Sequence, residues 1–378
     1  MSRGPALLRA AAGGMISSEP VWSIDLDDAV SAVAAGPRGS LAAAASLSGR
    51  TTVVDTDEGV VVTDLPRHEM GALAVAWAPD GQRLAVGGAD GSLVVSDLAR
   101  CQHDAVPGRS WVHALAWSPD GSYLAAGRGR EVLLLRPDAT VVARWPGQPS
   151  TVTALAWVGG RLAVACYGGI RWYDPQADGT APVRTFDWKG SLLALAVASN
   201  GRWVASGNQD ASIHLWRLWS GEDYEMAGYP AKVTALAFDP GSRRLAAGGA
   251  EEVTVWNLGG KGPGGRRPDS LRTHTRLVVA LAYAPAPPPP PAGRRPAGPV
   301  PLASGGRDGV VAVWRGTGSS RRPALRVDLG APVGTVAWRA DAALLLAGTE
   351  DGRLHAIRPP GTPPGSSHPP GRRPDRSR

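Results

Sequence analysis

The sequence predicts an all-β fold, a closed ring of eight four-stranded blades, and three observations carry the prediction. One short apolar strand pattern recurs eight times, turn residues fall at matching places after it, and an N-terminal strand stands with no unit of its own. A repeat near forty residues that contains four short strands is the signature of a β-propeller. Composition agrees. Of 378 residues 43% are hydrophobic, enough for a sizeable core, while 49 Gly and 34 Pro mark many turns and argue against long helices.

The first strand of each unit, strand A, reads SAVAA (31–35), LAVAW (73–77), HALAW (113–117), TALAW (153–157), LALAV (193–197), TALAF (234–238), VALAY (279–283) and GTVAW (334–338). Small and larger apolar residues alternate over five positions, as in a buried strand, and the last position is usually a bulky ring. Turns spelled Pro79-Asp80-Gly81, Pro119-Asp120-Gly121, Ser199-Asn200-Gly201 and Asp239-Pro240-Gly241 follow, so a hairpin must form. Strand B comes next, as in RLAVGG (83–88), YLAAG (123–127) and RLAAGG (244–249). A second turn, Asp90-Gly91, Asp308-Gly309 or Asp351-Gly352, leads to strand C, as in IHLW (213–216) and VVAVW (310–314).

The fourth strand, D, decides how the ring closes. Segments VRTFDW (183–188) and ALRVDL (324–329) precede the next strand A and serve as the outer strand of the preceding unit. VWSIDL (21–26) has the same pattern and the same spacing to strand A but no preceding unit. The eighth unit ends with strand C near Ile357 and then meets Pro359-Pro360, which cannot continue a sheet. The N-terminal strand is therefore predicted to complete the last blade, which removes an open sheet edge. Repeat one lacks both the strand A aromatic and the strand C Trp, which leaves a seven-bladed ring as the alternative.

These residues resemble the WD40-repeat β-propeller family over about 21–358. In that family a His before strand A, a Ser or Thr in strand B, an Asp in the B–C turn and a Trp in strand C form a buried hydrogen-bond set. Repeat seven matches all four with His274, Ser304, Asp308 and Trp314. Repeat five keeps Ser206, Asp210 and Trp216 with Trp188 in the His place, repeat six has Tyr229 there, and repeat two keeps His68 and Asp90. Trp188 and Tyr229 are accordingly expected to wedge between strands, and His103 is expected near the His place of repeat three. Trp188-Lys189-Gly190, Gly228-Tyr229-Pro230-Ala231-Lys232-Val233 and Gly260-Lys261-Gly262-Pro263-Gly264 resemble, more narrowly, stretches of stand-alone bacterial WD40 proteins. Some of those are encoded beside CobW-type GTPases linked to zinc. Their fourth repeat carries His where this chain has Cys166, which weakens a metal reading at that position.

Three domain-level expectations follow: a disordered segment 1–20, a propeller 21–358 whose Pro-rich loop 284–301 is extended polyproline II, and a disordered tail 359–378. Most of the formal +7 lies in that loop and tail, on Arg294, Arg295, Arg372, Arg373, Arg376 and Arg378, so no nucleic-acid face is expected. Cys101 and Cys166 form no metal or disulfide spacing, and no apolar run is long enough for a membrane span or a signal peptide. A cytoplasmic location, a monomeric ring and no cofactor are the expectations.

No nucleophile with a base, paired carboxylates, or phosphate-cradling loop into a helix is present, so no enzyme is expected. Binding is the alternative. The D–A and B–C loops share one face, where residues distant in sequence converge. Trp111, Trp145, Tyr167, Lys189 and Lys232 fall in or beside these loops, and Gln209, Arg307 and Glu350 stand just before the turn Asp positions. Aromatic and charged groups clustered in this way suit a protein or peptide partner. A small-molecule or zinc-related ligand at the channel mouth is the alternative function.

Overall fold

The computed structural model describes residues 19–177, 179–260, 262–287, 298–316 and 322–360. The first eighteen residues, the polyproline run and the tail beyond 360, on which several expectations fell, lie outside that set. Repeat two shows the common plan: Ala72–Trp77, Arg83–Gly88, Leu93–Asp97 and Gln102–Val106 pair antiparallel in sequence order. Strands B and C are buried on both faces because each sheet is radial and sandwiched between neighbours. Their runs are consequently mostly apolar, with a few buried polar residues, rather than alternating.

Eight inner A strands follow one another around a closed ring, each against the next, with Val333–Trp338 of repeat eight against Val30–Ala35 of repeat one. Two recurrent contacts hold neighbours together. A Gly in strand B sits where any Cβ would collide with a Val at or just before the start of the next strand A: Gly127 with Val152, Gly207 with Val233, Gly305 with Val333. Gly348 with Val30 repeats the contact across the ring closure. The ring at the end of strand A then reaches back, so that Trp77 Nε1 donates to Ala34 O at 3.0 Å and Trp117 to Ala76 O at 3.0 Å. Trp157 and Trp338 do the same to Ala116 and Ala282. Repeats five and six have Val197 and Phe238 there and lack a donor, while the buried Tyr283 hydroxyl of repeat seven has no partner among the described residues.

Closure occurs through the N-terminal strand. Trp22–Asp25 pairs with Arg353–Ile357 of repeat eight, Trp22 opposite Ala356 and Asp25 opposite Arg353. Trp22 Nε1 donates to Thr56 O of repeat one at 2.9 Å, and the Arg339 guanidinium of repeat eight bonds the Asp57 carboxylate.

The expected count of eight separate blades is corrected: the described residues form seven sheets, six of four strands and one of six. The six-stranded sheet joins repeats four and five through two long segments, Arg161–Tyr173 and Arg184–Val197. Each contains a sharp reversal. Arg171 Nη1 lies 3.2 Å from Cys166 Sγ, although five residues of extended strand would separate them by roughly 16 Å, so the chain folds back at Gly168 and Gly169. Those glycines have φ of 87° and 125°. The second segment turns at Trp188-Lys189-Gly190, and the two turns run side by side with Tyr167 opposite Ser191 and Gly169 opposite Asp187. That shared ladder erases the boundary between the two repeats.

Candidate functional site

The B–C turns and D–A loops meet because they hydrogen-bond each other. Gly129 N donates to Trp111 O, Gln209 N to Ser191 O, Arg307 N to Leu277 O and Glu350 N to Pro332 O. One face of the ring is thus built from short loops anchored to the sheets, and its side chains divide into two arcs. Over repeats one to four, Leu47 (48% exposed), Met70 (69%), Trp111 (62%) and Tyr167 (49%) present apolar surface. Over repeats five to eight, Lys189, Gln209, Lys232, Arg307 and Glu350 are exposed and polar, with Arg307 and Glu350 paired at 3.3 Å.

Trp145 does not belong to this face. It ends strand D of repeat three, is buried, and stacks on Tyr173 of repeat four with ring centroids 4.7 Å apart. Gln148 caps the pair by donating to Tyr173 Oη at 2.7 Å and to Trp145 O at 3.2 Å. His103 is also corrected: it lies on strand D of repeat two, its Nδ1 2.9 Å from Ser96 Oγ. Sequence reasoning missed Met70 and Leu47, because a single apolar residue in a turn carries no periodic signal.

Beneath the face runs the buried polar layer. His274 Nδ1 is 3.1 Å from Asp308, its Nε2 is 2.8 Å from Ser304 Oγ, and Trp314 Nε1 donates to the same hydroxyl at 3.0 Å. Burial pushes the Asp308 carboxyl up, but the amides of Thr275 and Val310 and the His274 ring more than offset it and hold the group below the usual carboxylate range. Burial lowers the His274 ring below its ordinary value. Repeat six builds the same layer from other chemistry: Tyr229 Oη accepts from Trp256 Nε1 at 2.9 Å and lies 2.6 Å from Thr254 Oγ1. In repeat five Trp188 takes the His place and lies 4.0 Å from the His214 ring, which stacks on Trp216. His68 in repeat two bonds Asp90 and Ser92.

Among the described residues no group of three or more His, Cys, Asp or Glu side chains could hold a metal ion. Cys166 is fully buried, and burial raises its thiol above the ordinary value. No described helix is long and apolar enough to cross a membrane.

Comparison with known proteins agrees with this architecture. The family "WD domain, G-beta repeat" matches residues 59–97, 100–133 and 180–217, each match opening at or before a strand D and running into strand C of a following repeat. Striatin-4 of Mus musculus is 33% identical over 88 residues, 20% of this chain and 12% of that protein. The U3 snoRNP-associated protein-like EMB2271 of Arabidopsis thaliana is 36% identical over 67 residues, 17% of this chain and 14% of its own length. Meiotic recombination protein rec14 of Schizosaccharomyces pombe is 30% identical over 108 residues, 28% of this chain and 32% of its own. These alignments span no more than a third of the relatives. The computationally designed Ika8 protein superposes with a TM-score of 0.72 at 20% identity, covering 88% of this chain and 97% of that one, a similarity of fold alone. The chain is therefore an all-β propeller of the WD40 type in which three stretches match the WD40 repeat.

Proposed function

We propose that this ring is a non-catalytic interaction platform that binds a protein or peptide on its D–A/B–C loop face. One observation carries the reading: Leu47, Met70, Trp111 and Tyr167 leave apolar surface open on successive repeats of one face, where removing it from water would favour association. Aromatic anchors in rigid loops lose little conformational entropy on binding, and the adjoining Lys189, Lys232 and Arg307 suit a partner with an apolar stripe and an acidic flank. That one relative is named for association with U3 snoRNP fits a partner-binding use of the shared repeat. A cytoplasmic location belongs to the same proposal.

The test is affinity purification from the native cells, comparing the wild type with the Trp111→Ala/Lys189→Ala variant. A stoichiometric partner lost in the variant, with the ring still folded, supports the platform. A partner retained in full would mean that the face is misassigned. Zinc analysis of untagged protein addresses the alternative drawn from the bacterial resemblance, and metal well below stoichiometric would end it.

A further inference from the structure

The opposite face, formed by the A–B and C–D turns, carries a second surface. Trp219 in the C–D turn of repeat five is 70% exposed, the most open large apolar side chain among the described residues. It is a ridge between two grooves. The larger, about 730 Å³, runs between repeats five and six past Arg202, Trp203, Arg217 and Arg243. The smaller, about 330 Å³, runs toward repeat four past Arg161, Trp172 and Arg184.

The floor is fixed. Ser199 Oγ lies 2.8 Å from Ser242 Oγ and donates to Pro240 O, which ties the A–B turns of repeats five and six together. The Arg217 guanidinium sits over Trp203 at 4.9 Å and over Trp219 at 5.4 Å, so the ridge is braced by cation–π contact. Charge is unbalanced around it. Asp174 and Glu222 pair with Arg161 and Arg217. Arg184, Arg202 and Arg243 have no ion-pair partner among the described residues, and the nearby Asp239 carboxylate accepts the amides of its own turn.

We infer that this double groove docks an acidic peptide segment of a partner protein, laid across Trp219 with carboxylates on Arg202 and Arg243 to one side and Arg184 to the other. Guanidinium forks match carboxylates in pairs of hydrogen bonds, and the indole gives the peptide an apolar surface to cover. A single strand of nucleic acid fits less well, because stacking of successive bases needs a row of open rings. Here Trp203 and Trp172 are buried at 5% and 4%, leaving one ring open. The chain's own Arg-rich tail would be repelled. This surface is independent of the face proposed above.

The experiment is fluorescence polarisation with a short labelled peptide of alternating Glu and Ser, against the same peptide with Lys for Glu and an oligo-dT of similar length. Saturable binding of the acidic peptide is expected, weakened about tenfold or more by Trp219→Ala and by Arg202→Glu/Arg243→Glu, and unchanged in Trp111→Ala on the other face. Circular dichroism confirms that each variant is folded, and because the substituted side chains are exposed, folding should survive. Absence of saturable binding overturns the inference, as does binding that both groove variants leave intact. Tighter binding of oligo-dT, lost in the same variants, overturns it in favour of a nucleic-acid groove.

Discussion

Ser304→Ala isolates the buried polar layer of repeat seven. Asp308, acceptor only, faces His274 Nδ1 at 3.1 Å, so that nitrogen carries the proton and Nε2 is free to accept. Ser304 therefore donates to Nε2 at 2.8 Å while receiving the Trp314 indole N–H at 3.0 Å, with the hydroxyl wholly buried. Removing that oxygen orphans one donor and one acceptor where water cannot replace it, and at 1–3 kcal/mol for each, a loss of about 3 kcal/mol is expected. Ser206→Ala is the internal control. Among the described residues its hydroxyl bonds only Asn208 Oδ1 at 2.9 Å, and since Ser212 is bonded by Asn208 Nδ2, the substitution orphans one buried acceptor rather than two groups, so about half the loss, roughly 1.5 kcal/mol, is expected. Urea unfolding at neutral pH, followed by far-ultraviolet circular dichroism, compares the two midpoints. In the Ser304→Ala background, adding Trp314→Phe should cost less than in wild type, since the indole N–H is already stranded. Equal midpoints for the two serine variants, or strict additivity of the pair, would refute the chain of bonds drawn here.

Two further predictions concern the seams between repeats and the response to acid. Trp117→Phe keeps an aromatic side chain but deletes the bond to Ala76 O together with part of the buried indole, and should cost about 2 kcal/mol, whereas Tyr283→Phe removes a buried hydroxyl without a partner among the described residues and should be neutral or stabilising. A neutral Trp117→Phe in the same urea titration would contradict a working bond to Ala76 O, and a clear loss in Tyr283→Phe would contradict an unsatisfied hydroxyl. Burial lowers His113, His274 and His355 below the ordinary 6.5, so the unfolded chain binds protons more readily. Their contribution is complete above about pH 6.5 and is lost as pH falls through the lowered folded values, before the depressed carboxylates of Asp90 and Asp308 titrate. Melting temperatures should decline between about pH 7 and pH 5; a flat profile across that interval would contradict neutral buried imidazoles.

What the sequence shows and what it hides separate along one physical line. Strand A, the turns after it and the strand at 21–26 are legible because each is a local pattern repeated at a fixed interval, and repetition makes a weak signal strong. The His274 layer is legible for the same reason: its polar residues stand at fixed offsets from strands that have already been placed. Exposure is another matter. Trp111 and Trp145 look alike in sequence, both lying shortly before a strand A, yet Trp145 is covered by Tyr173 from the next repeat, 4.7 Å away, and Trp111 is left open. Trp188 and Tyr229 share the His place but reach different partners, His214 in one case and Thr254 with Trp256 in the other. The sheet count shifted because Gly168 and Gly190 let two turns lie alongside each other, a relation between repeats rather than within one. A propeller keeps its fold by what its repeats share and gains a binding surface by what they do not. Residues such as Trp111, Met70 and Trp219 are therefore found only when contacts between repeats are known, and they are where substitutions should change partners while leaving the ring intact.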